Sequence, residues 1–241
     1  MCRHGIADHF SWTAEVTATE QAPTFEGISK PLAGIRKIAA RRMVQAWAAP
    51  VFHLSVNVDM SAVLAANLKA IGATVTDAIL YASASALVAQ PGMNAHFADN
   101  VITTFTDVNI GLAVATDKGL TVPVLHRLQG ATVTDIAGVR KDVVTRARTG
   151  KLSMRDISDG TFTVSNLGML GIDQFDAILN PPQVAILAVG STAQTPIVVD
   201  GEVQVRPIAS FTLTCDHRAV DGATGAALLT GIRDALQSGN W

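Results

Sequence analysis

Toward the C-terminal end runs the string Thr214-Cys215-Asp216-His217-Arg218-Ala219-Val220-Asp221-Gly222, in which a histidine stands between an aspartate and an arginine and shortly before a second aspartate. An imidazole exchanges a proton near neutral pH, because its ordinary pKa is about 6.5, and neighbouring carboxylates and guanidinium groups can fix its orientation and tautomer. Those residue types equip the string for general-base catalysis. Taken by itself, a histidine with an aspartate at this spacing is also what an ordinary polar strand end looks like. Cys215 invites comparison with a catalytic nucleophile. Alternation along Phe211–His217 puts Cys215 on the face of His217 only if the chain stays extended, and a half-buried inert thiol is the expectation.

Two further strings carry candidate chemistry. Gly160-Thr161-Phe162-Thr163-Val164-Ser165-Asn166-Leu167-Gly168 reads as a strand ending in a hydroxyl, an amide and a glycine. Asn180-Pro181-Pro182-Gln183-Val184-Ala185-Ile186-Leu187-Ala188-Val189-Gly190 reads as a rigid turn feeding a buried strand. Individually these are turn signals, since Ser, Asn and Pro all favour turns. His4, His9, His96 and His126 have no metal-ligand spacing to one another or to the cysteines, so no metal site is expected. His53 falls on the polar side of an alternating strand and is expected to be a hydrogen-bonded structural histidine, or else to line a substrate channel.

The elements that must position these strings follow from periodicity. Met1 to about Gly27 shows neither helical nor strand period and is expected to be a flexible arm, leaving 28–241 as one domain. From Leu32 to Ala48, Ile35, Ile38, Ala39, Met43, Ala46 and Trp47 recur at helical spacing, so an amphipathic helix is expected, ending before Pro50. Its interleaved Arg36, Lys37, Arg41 and Arg42 form a solvated face or meet the phosphates of a cofactor. Val51–Asp59 alternates as a half-buried strand does. A helix is expected over Ser61–Ile71, and another over Asp77–Ala89 with Thr76 as its cap. Val101–Phe105, Val108–Ala115 and Leu120–Leu125 are strand-like, and Pro123 places the last at an edge or bulge.

A long helix is expected through Ile136, Val139, Val143, Val144 and Ala147, capped by Thr132 or Thr134 and ending at Gly150. Strands follow at Thr161–Ser165, Val184–Val189, Ile197–Val199 and Val203–Thr214, with a closing helix over Ala219–Gln237. Helices and strands mix without regular alternation or repeat, which predicts a single α/β sandwich of two layers with a mixed sheet.

The chain has 241 residues, enough to bury an α/β core without disulfides or metals. Hydrophobic residues make up 49% and charged residues only 16%, with a mean hydropathy of +0.32, so apolar surface is expected to remain for subunit contacts. The most lipid-like stretch, Ala78–Ala89, is too short to span a bilayer, so no membrane partner is expected. Cys2 and Cys215 are the only cysteines, no secretion signal opens the chain, and a reducing cytoplasmic compartment is the expectation. A net charge of -2 gives no basic footprint for nucleic acid.

In this order, with Asp107-Val108-Asn109-Ile110-Gly111-Leu112-Ala113-Val114 and Gly119-Leu120-Thr121-Val122-Pro123-Val124 upstream, the strings resemble the catalytic domain of the dihydrolipoyl acyltransferases, the E2 components of 2-oxo acid dehydrogenase complexes. The resemblance runs from about Leu32 to Leu236. It implies the fold of chloramphenicol acetyltransferase and a homotrimer with active sites between subunits. It also implies coenzyme A and a lipoyl group, supplied by another domain or chain, as the acyl carriers. Carried over residue by residue, the catalytic histidine falls on His217, the aspartate of the His-x-x-x-Asp-Gly motif on Asp221, and the hydroxyl donor on Ser165.

The chemistry agrees with that assignment. A thiol with pKa about 8.5 needs a base to become the attacking thiolate, and the oxyanion that forms needs a donor already in place. The resemblance also implies direct transfer, without an acyl-enzyme. Asp221 is expected to hold the loop and the orientation of His217 by pairing with an arginine, with Arg218 and Asp216 structural. Asn166, Gly168 and Asn180 are the candidate pocket residues.

Whole chains of this family also carry lipoyl domains and a domain that binds the E1 and E3 enzymes, and neither is recognised here. Asp117-Lys118 does not read as a lipoylation site. The sequence is therefore a catalytic-domain fragment, or a free-standing acyltransferase that uses a carrier elsewhere, which Met1 and the linker-unlike arm favour. The C-terminal end offers only Trp241 as an apolar knob, so a trimer is expected ahead of a larger core. Met60–Thr74 is short for the family, which would alter the channel for the lipoyl arm. Rival readings are a coenzyme A-dependent acyltransferase acting on a small acceptor and a non-catalytic scaffold. A serine hydrolase is disfavoured because no Gly-x-Ser-x-Gly elbow surrounds Ser165.

Overall fold

The computed structural model describes residues 27–117 and 119–240, and only the backbone of Ile35. The expected N-terminal arm and Trp241 lie outside the described residues, apart from Gly27. Residues 27–32 are irregular chain, and every helix and strand described belongs to a compact unit beginning at Ala33.

In chain order this unit comprises α1 (Gly34–Trp47), β1 (Val51–Asp59), α2 (Ser61–Ala65), α3 (Val75–Ala89), β2 (Ala95–Ala98), β3 (Val101–Thr104) and β4 (Ile110–Leu112). It continues with β5 (Val114–Thr116), β6 (Gly119–Thr121), β7 (Val124–Leu125), α4 (Val133–Arg148), β8 (Phe162–Asn166), β9 (Ala185–Val199), β10 (Glu202–Asp216) and α5 (Gly222–Ser238). The main sheet has six strands in the order β1-β10-β9-β8-β4-β7, with β8 parallel to both neighbours and the other pairs antiparallel. This is the mixed sheet expected. Among the described residues no helix is long and apolar enough to cross a membrane.

Alternation divides each strand between two unlike faces. Phe162, Val164, Leu187, Phe211 and Leu213 lie in the main core with residues of α3, α4 and α5, fully buried. Burial of each such side chain stabilises the fold by about 1.5–3 kcal/mol. α5 settles closely on the sheet because Gly225 has no side chain: a Cβ there would lie 2.9 Å from Leu54 Cδ1 and 3.3 Å from Cys215 Sγ. The opposite face carries only a small apolar cluster of Ala46, Ala49, Ala177, Leu179, Ile186 and Ala188, with Phe175 beside it. The fold is thus a two-layer sandwich with one face largely uncovered.

Several boundaries differ from expectation, each for a local reason. Ser61–Ile71 is not one helix: α2 ends at Ala65 and a separate 3-10 turn covers Leu68–Ile71. α3 is capped by Thr74 rather than Thr76, because Asp77 Oδ2 accepts hydrogen bonds from the Thr74 N–H and hydroxyl, both at 2.8 Å. α4 is capped by Thr132, whose Oγ1 accepts from the Asp135 N–H. The strand expected over Val108–Ala115 breaks at Ala113, and Leu120–Leu125 breaks at Val122-Pro123. Ile197–Val199 is not separate but the continuation of β9. α5 begins at Gly222, since Ala219 and Val220 donate to the Asp216 carbonyl in a turn that precedes the helix.

Candidate active site

His217 follows the last residue of β10. Its N–H donates to the Pro50 carbonyl at 2.9 Å, and its ring lies against Phe52 with centroids 4.6 Å apart. Phe52 belongs to the helix-covered side of β1. The imidazole itself is exposed. The turn that carries it is built by Asp216, which is 4% exposed and accepts from the Arg218 N–H at 3.0 Å. Arg218 closes a two-point ion pair on the same carboxylate, Nε to Oδ1 at 2.9 Å and Nη2 to Oδ2 at 2.6 Å.

Among the described residues Asp221 pairs with no arginine, contrary to expectation. It is the N-cap of α5, and its Oδ1 accepts from the Thr224 N–H at 2.8 Å. Hydrogen bonds from Thr224 hold its carboxyl below the ordinary carboxylate range, with a smaller contribution from the nearby His217. The cap therefore strengthens the fold above the ordinary carboxylate pKa and is lost as pH falls through the lowered value. Cys215 is fully buried and burial pushes its thiol up to about 12, so it stays protonated at neutral pH and is no nucleophile.

Ser165 lies on β8, half-buried, on the other face of the sheet. Its register partner is Ala188 on β9, which in turn faces Thr212 on β10, and Thr212 faces Ser55 on β1. Ala188 belongs to the small outer cluster, whereas Phe162 and Val164 on either side of Thr163 point into the main core. Ser165 and His217 are thus two strands apart, several residues apart along the strands, and on opposite faces. Strand rise and strand spacing put them roughly 15–20 Å from each other. The structure does not bring them together within one chain.

Around Ser165 the backbone is packed closely. A Cβ on Gly190 would meet the Asp173 carbonyl oxygen at 1.9 Å and one on Gly168 would meet the Gly190 carbonyl oxygen at 2.6 Å, so only glycine fits either place. Asn166 Oδ1 accepts from the Gly168 N–H at 2.9 Å. Asn180 Nδ2 lies 3.4 Å from Thr163 Oγ1, whose hydroxyl is also 2.6 Å from Gln183 Oε1. Asn166, Gly168 and Asn180 therefore border the Ser165 strand, with these polar atoms engaged inside the chain.

A cleft of ≈ 440 Å³ opens on the same outer face between the C-terminal end of α1, residues 176–179 and β1. His53 lines it, with Nδ1 2.9 Å from Thr214 Oγ1 and 4.0 Å from Asp176 Oδ1, which makes it a hydrogen-bonded structural histidine as expected. Nε2 of His96 donates to Gly160 O and Nε2 of His126 to Arg155 O. Among the described residues no group of His, Cys, Asp and Glu is placed to hold a metal. Sequence reasoning missed Phe52 and Phe97. Phe52 supports the His217 ring, and Phe97 lies under the Arg218 guanidinium, with Cζ 4.6 Å from the ring centroid.

This architecture is that of chloramphenicol acetyltransferase, with which the chain superposes at a TM-score of 0.56 over 81% of its length at 13% identity, a likeness of fold alone. The family model described as 2-oxoacid dehydrogenases acyltransferase (catalytic domain) matches residues 26–240, and the chain belongs to that family. It is 36% identical over 218 residues to the dihydrolipoyllysine-residue acetyltransferase component of the pyruvate dehydrogenase complex of Rickettsia bellii, a match covering 86% of this chain and 52% of that protein. The chain thus spans about half the length of that relative.

Two solved structures superpose at a TM-score of 0.83 and 28% identity, covering 90% of this chain and 97% of theirs. One is the Azotobacter vinelandii dihydrolipoamide acetyltransferase, investigated for the role of a serine, a histidine and an asparagine in its catalytic mechanism. The other is the cubic core of the pyruvate dehydrogenase multienzyme complex.

Proposed function

We propose that this chain is the acyl-transferring core of a pyruvate dehydrogenase-type complex, moving an acetyl group between a dihydrolipoyl thiol and coenzyme A. One observation carries the reading. Ser165, His217 and Asp221 follow one another at the same separations as the serine, histidine and asparagine named for the Azotobacter vinelandii enzyme, yet Ser165 and His217 lie on opposite faces of one copy. A site that uses both residues must join two copies, His217 from one subunit and Ser165 from its neighbour. The homotrimer implied by the resemblance supplies such a junction, and the bare outer face with exposed Trp47 and Ile178 offers surface for it.

At that junction the His217 imidazole accepts the proton of the incoming thiol, and the thiolate attacks the carbonyl carbon of the acyl thioester. The oxyanion of the tetrahedral intermediate accepts a hydrogen bond from the Ser165 hydroxyl. As the intermediate collapses, the old carbon–sulfur bond breaks and the departing sulfur takes the proton back from the imidazolium. Proton and electron pairs balance, and the same residues serve both directions. An exposed imidazole in the single copy becomes shielded from water only when the neighbour closes over it.

Asn166, Gly168 and Asn180 form walls at the Ser165 strand end, and Asp221 acts through the turn and the cap of α5. The lipoyl group arrives on a carrier from another domain or chain, and the E1 and E3 enzymes act on that carrier. The reading is tested by steady-state assay of the purified chain with a panel of acyl-CoAs and free dihydrolipoamide. Acetyl transfer exceeding succinyl and branched-chain transfer supports it. Turnover with a small hydroxyl or amine acceptor and none with dihydrolipoamide contradicts it.

A further inference from the structure

We propose that Arg218 is a positioning residue for His217: its guanidinium, forked onto buried Asp216 and laid over the ring of Phe97, sets the place of the neighbouring imidazole. The inference rests on the reading of His217 as the base. A histidine directly after a strand end has two ways to be held, by its own ring or by the turn that carries it. The ring lies against Phe52, with centroids 4.6 Å apart. The turn is held at several points. Asp216 N–H donates to Val184 O at 2.9 Å, and Ala219 and Val220 donate back to Asp216 O at 3.1 and 3.0 Å. The Asp216 carboxylate binds both the backbone N–H and the side chain of Arg218.

Arg218 adds a side-chain tie from this turn to a different part of the fold, beside the backbone bonds of Asp216 to Val184 and of His217 to Pro50. Its guanidinium stacks on Phe97 of β2, and the Phe97 N–H donates to Pro182 O at 2.8 Å, on the loop that leads into β9. The residue before His217 and the residue after it are thereby joined through one planar group to β2 and to the 180–184 loop. The Arg218 side chain is 44% exposed against 5% for Asp216, so the head is open to water while the carboxylate it holds is not. A lysine could supply the charge but neither the two-point geometry nor the flat face for stacking. Small displacements of a catalytic group are amplified in rate, about 10²-fold for 1 Å, so a tether of this kind acts on turnover more than on binding.

The test uses the full chain, histidine labelled at Cε1, with the His217 resonance assigned by its absence in His217→Ala. Phe52 displaces this resonance through its ring current. In Arg218→Met the signal is expected to move toward the position of a solvent-exposed histidine, with kcat reduced about tenfold and both KM values within about twofold of wild type. Arg218→Lys should give an intermediate kcat. An unmoved His217 resonance with a lowered melting temperature overturns the proposal, leaving Arg218 a stability residue. A raised KM for coenzyme A at unchanged kcat also overturns it, making Arg218 an anion contact.

Arg218→Met strands a buried carboxylate at a cost to stability, so Phe97→Leu, which keeps the pair and removes the platform, provides the second arm. Its resonance must move in the same direction, and an unmoved one refutes the tether. The resonance needs no turnover. A wild-type chain that shows the shift in its variants but transfers no acyl group would sink the acyl-transfer reading and not the positioning.

Discussion

On one face of the sheet Phe162, Leu187, Phe211 and Leu213 are sealed beneath helices, and His217 sits at the rim of that side against Phe52. On the other face Ser165 shares its side with a small alanine-rich cluster, and Trp47, Val51 and Ile178 stay open. The first face is finished by the chain itself and the second is not. The proposed catalytic pair, divided between them, cannot meet inside one molecule, and on that reading the bare face is where a neighbouring copy belongs. The tight glycine packing at Gly168 and Gly190 shows that the Ser165 strand end is nevertheless built as closely as the core.

The largest expected effects come from removing either half of the pair. His217→Ala should abolish transfer with the fold retained, because the imidazole is exposed. Ser165→Ala should keep substrate binding and lose about 10²–10³ in kcat, checked by separate measurement of kcat and KM. Gly190→Ala sharpens the contrast between faces. It drives a Cβ into the Asp173 carbonyl, so about 1–3 kcal/mol of stability should be lost on denaturation, with kcat falling and the His217 turn untouched.

Smaller effects probe the His217 side. Asp221→Ala removes the α5 cap and should lower the melting temperature, whereas Asp221→Asn, which also caps well, should keep both stability and most of the activity. The smallest concerns the helix layer. Burial alone would raise the pKa of Asp156, but hydrogen bonds from the Ser153 N–H and hydroxyl and from the Arg146 guanidinium bring it down to about 2. Its stabilising contribution is complete above the ordinary carboxylate pKa of about 3.9 and disappears as pH falls to about 2. Acid titration of unfolding should therefore show Asp156→Asn weaker than wild type at neutral pH and equal to it at the acid end.

Local signals made much of this legible. Strict alternation gave β1 both its boundaries, and Thr132 with Asp135 marked the start of α4. The same signal was present at Thr74 and Asp77, where the box identifies the cap that a reading of Thr76 missed. The break after Ala65 has no proline or glycine to announce it, so Ser61–Ile71 looked continuous. Residues carrying chemistry were visible as strings, but their separation was not. That Ser165 and His217 lie on opposite faces depends on β9 entering between β8 and β10, a matter of strand order that no local period encodes. Phe97 under Arg218 is hidden for the same reason, since only the folded sheet brings β2 beside the turn.

Sharing of the site between copies is tested most directly by mixing. His217→Ala and Ser165→Ala chains, each nearly inactive alone, are co-expressed or refolded together at equal amounts and assayed for acyl transfer. Each junction that takes His217 from the Ser165→Ala chain and Ser165 from the His217→Ala chain is intact, which with random assembly is about one in four. The account predicts recovery of about a quarter of wild-type activity in the mixed oligomer. Activity no greater than the average of the two variants measured separately would contradict it.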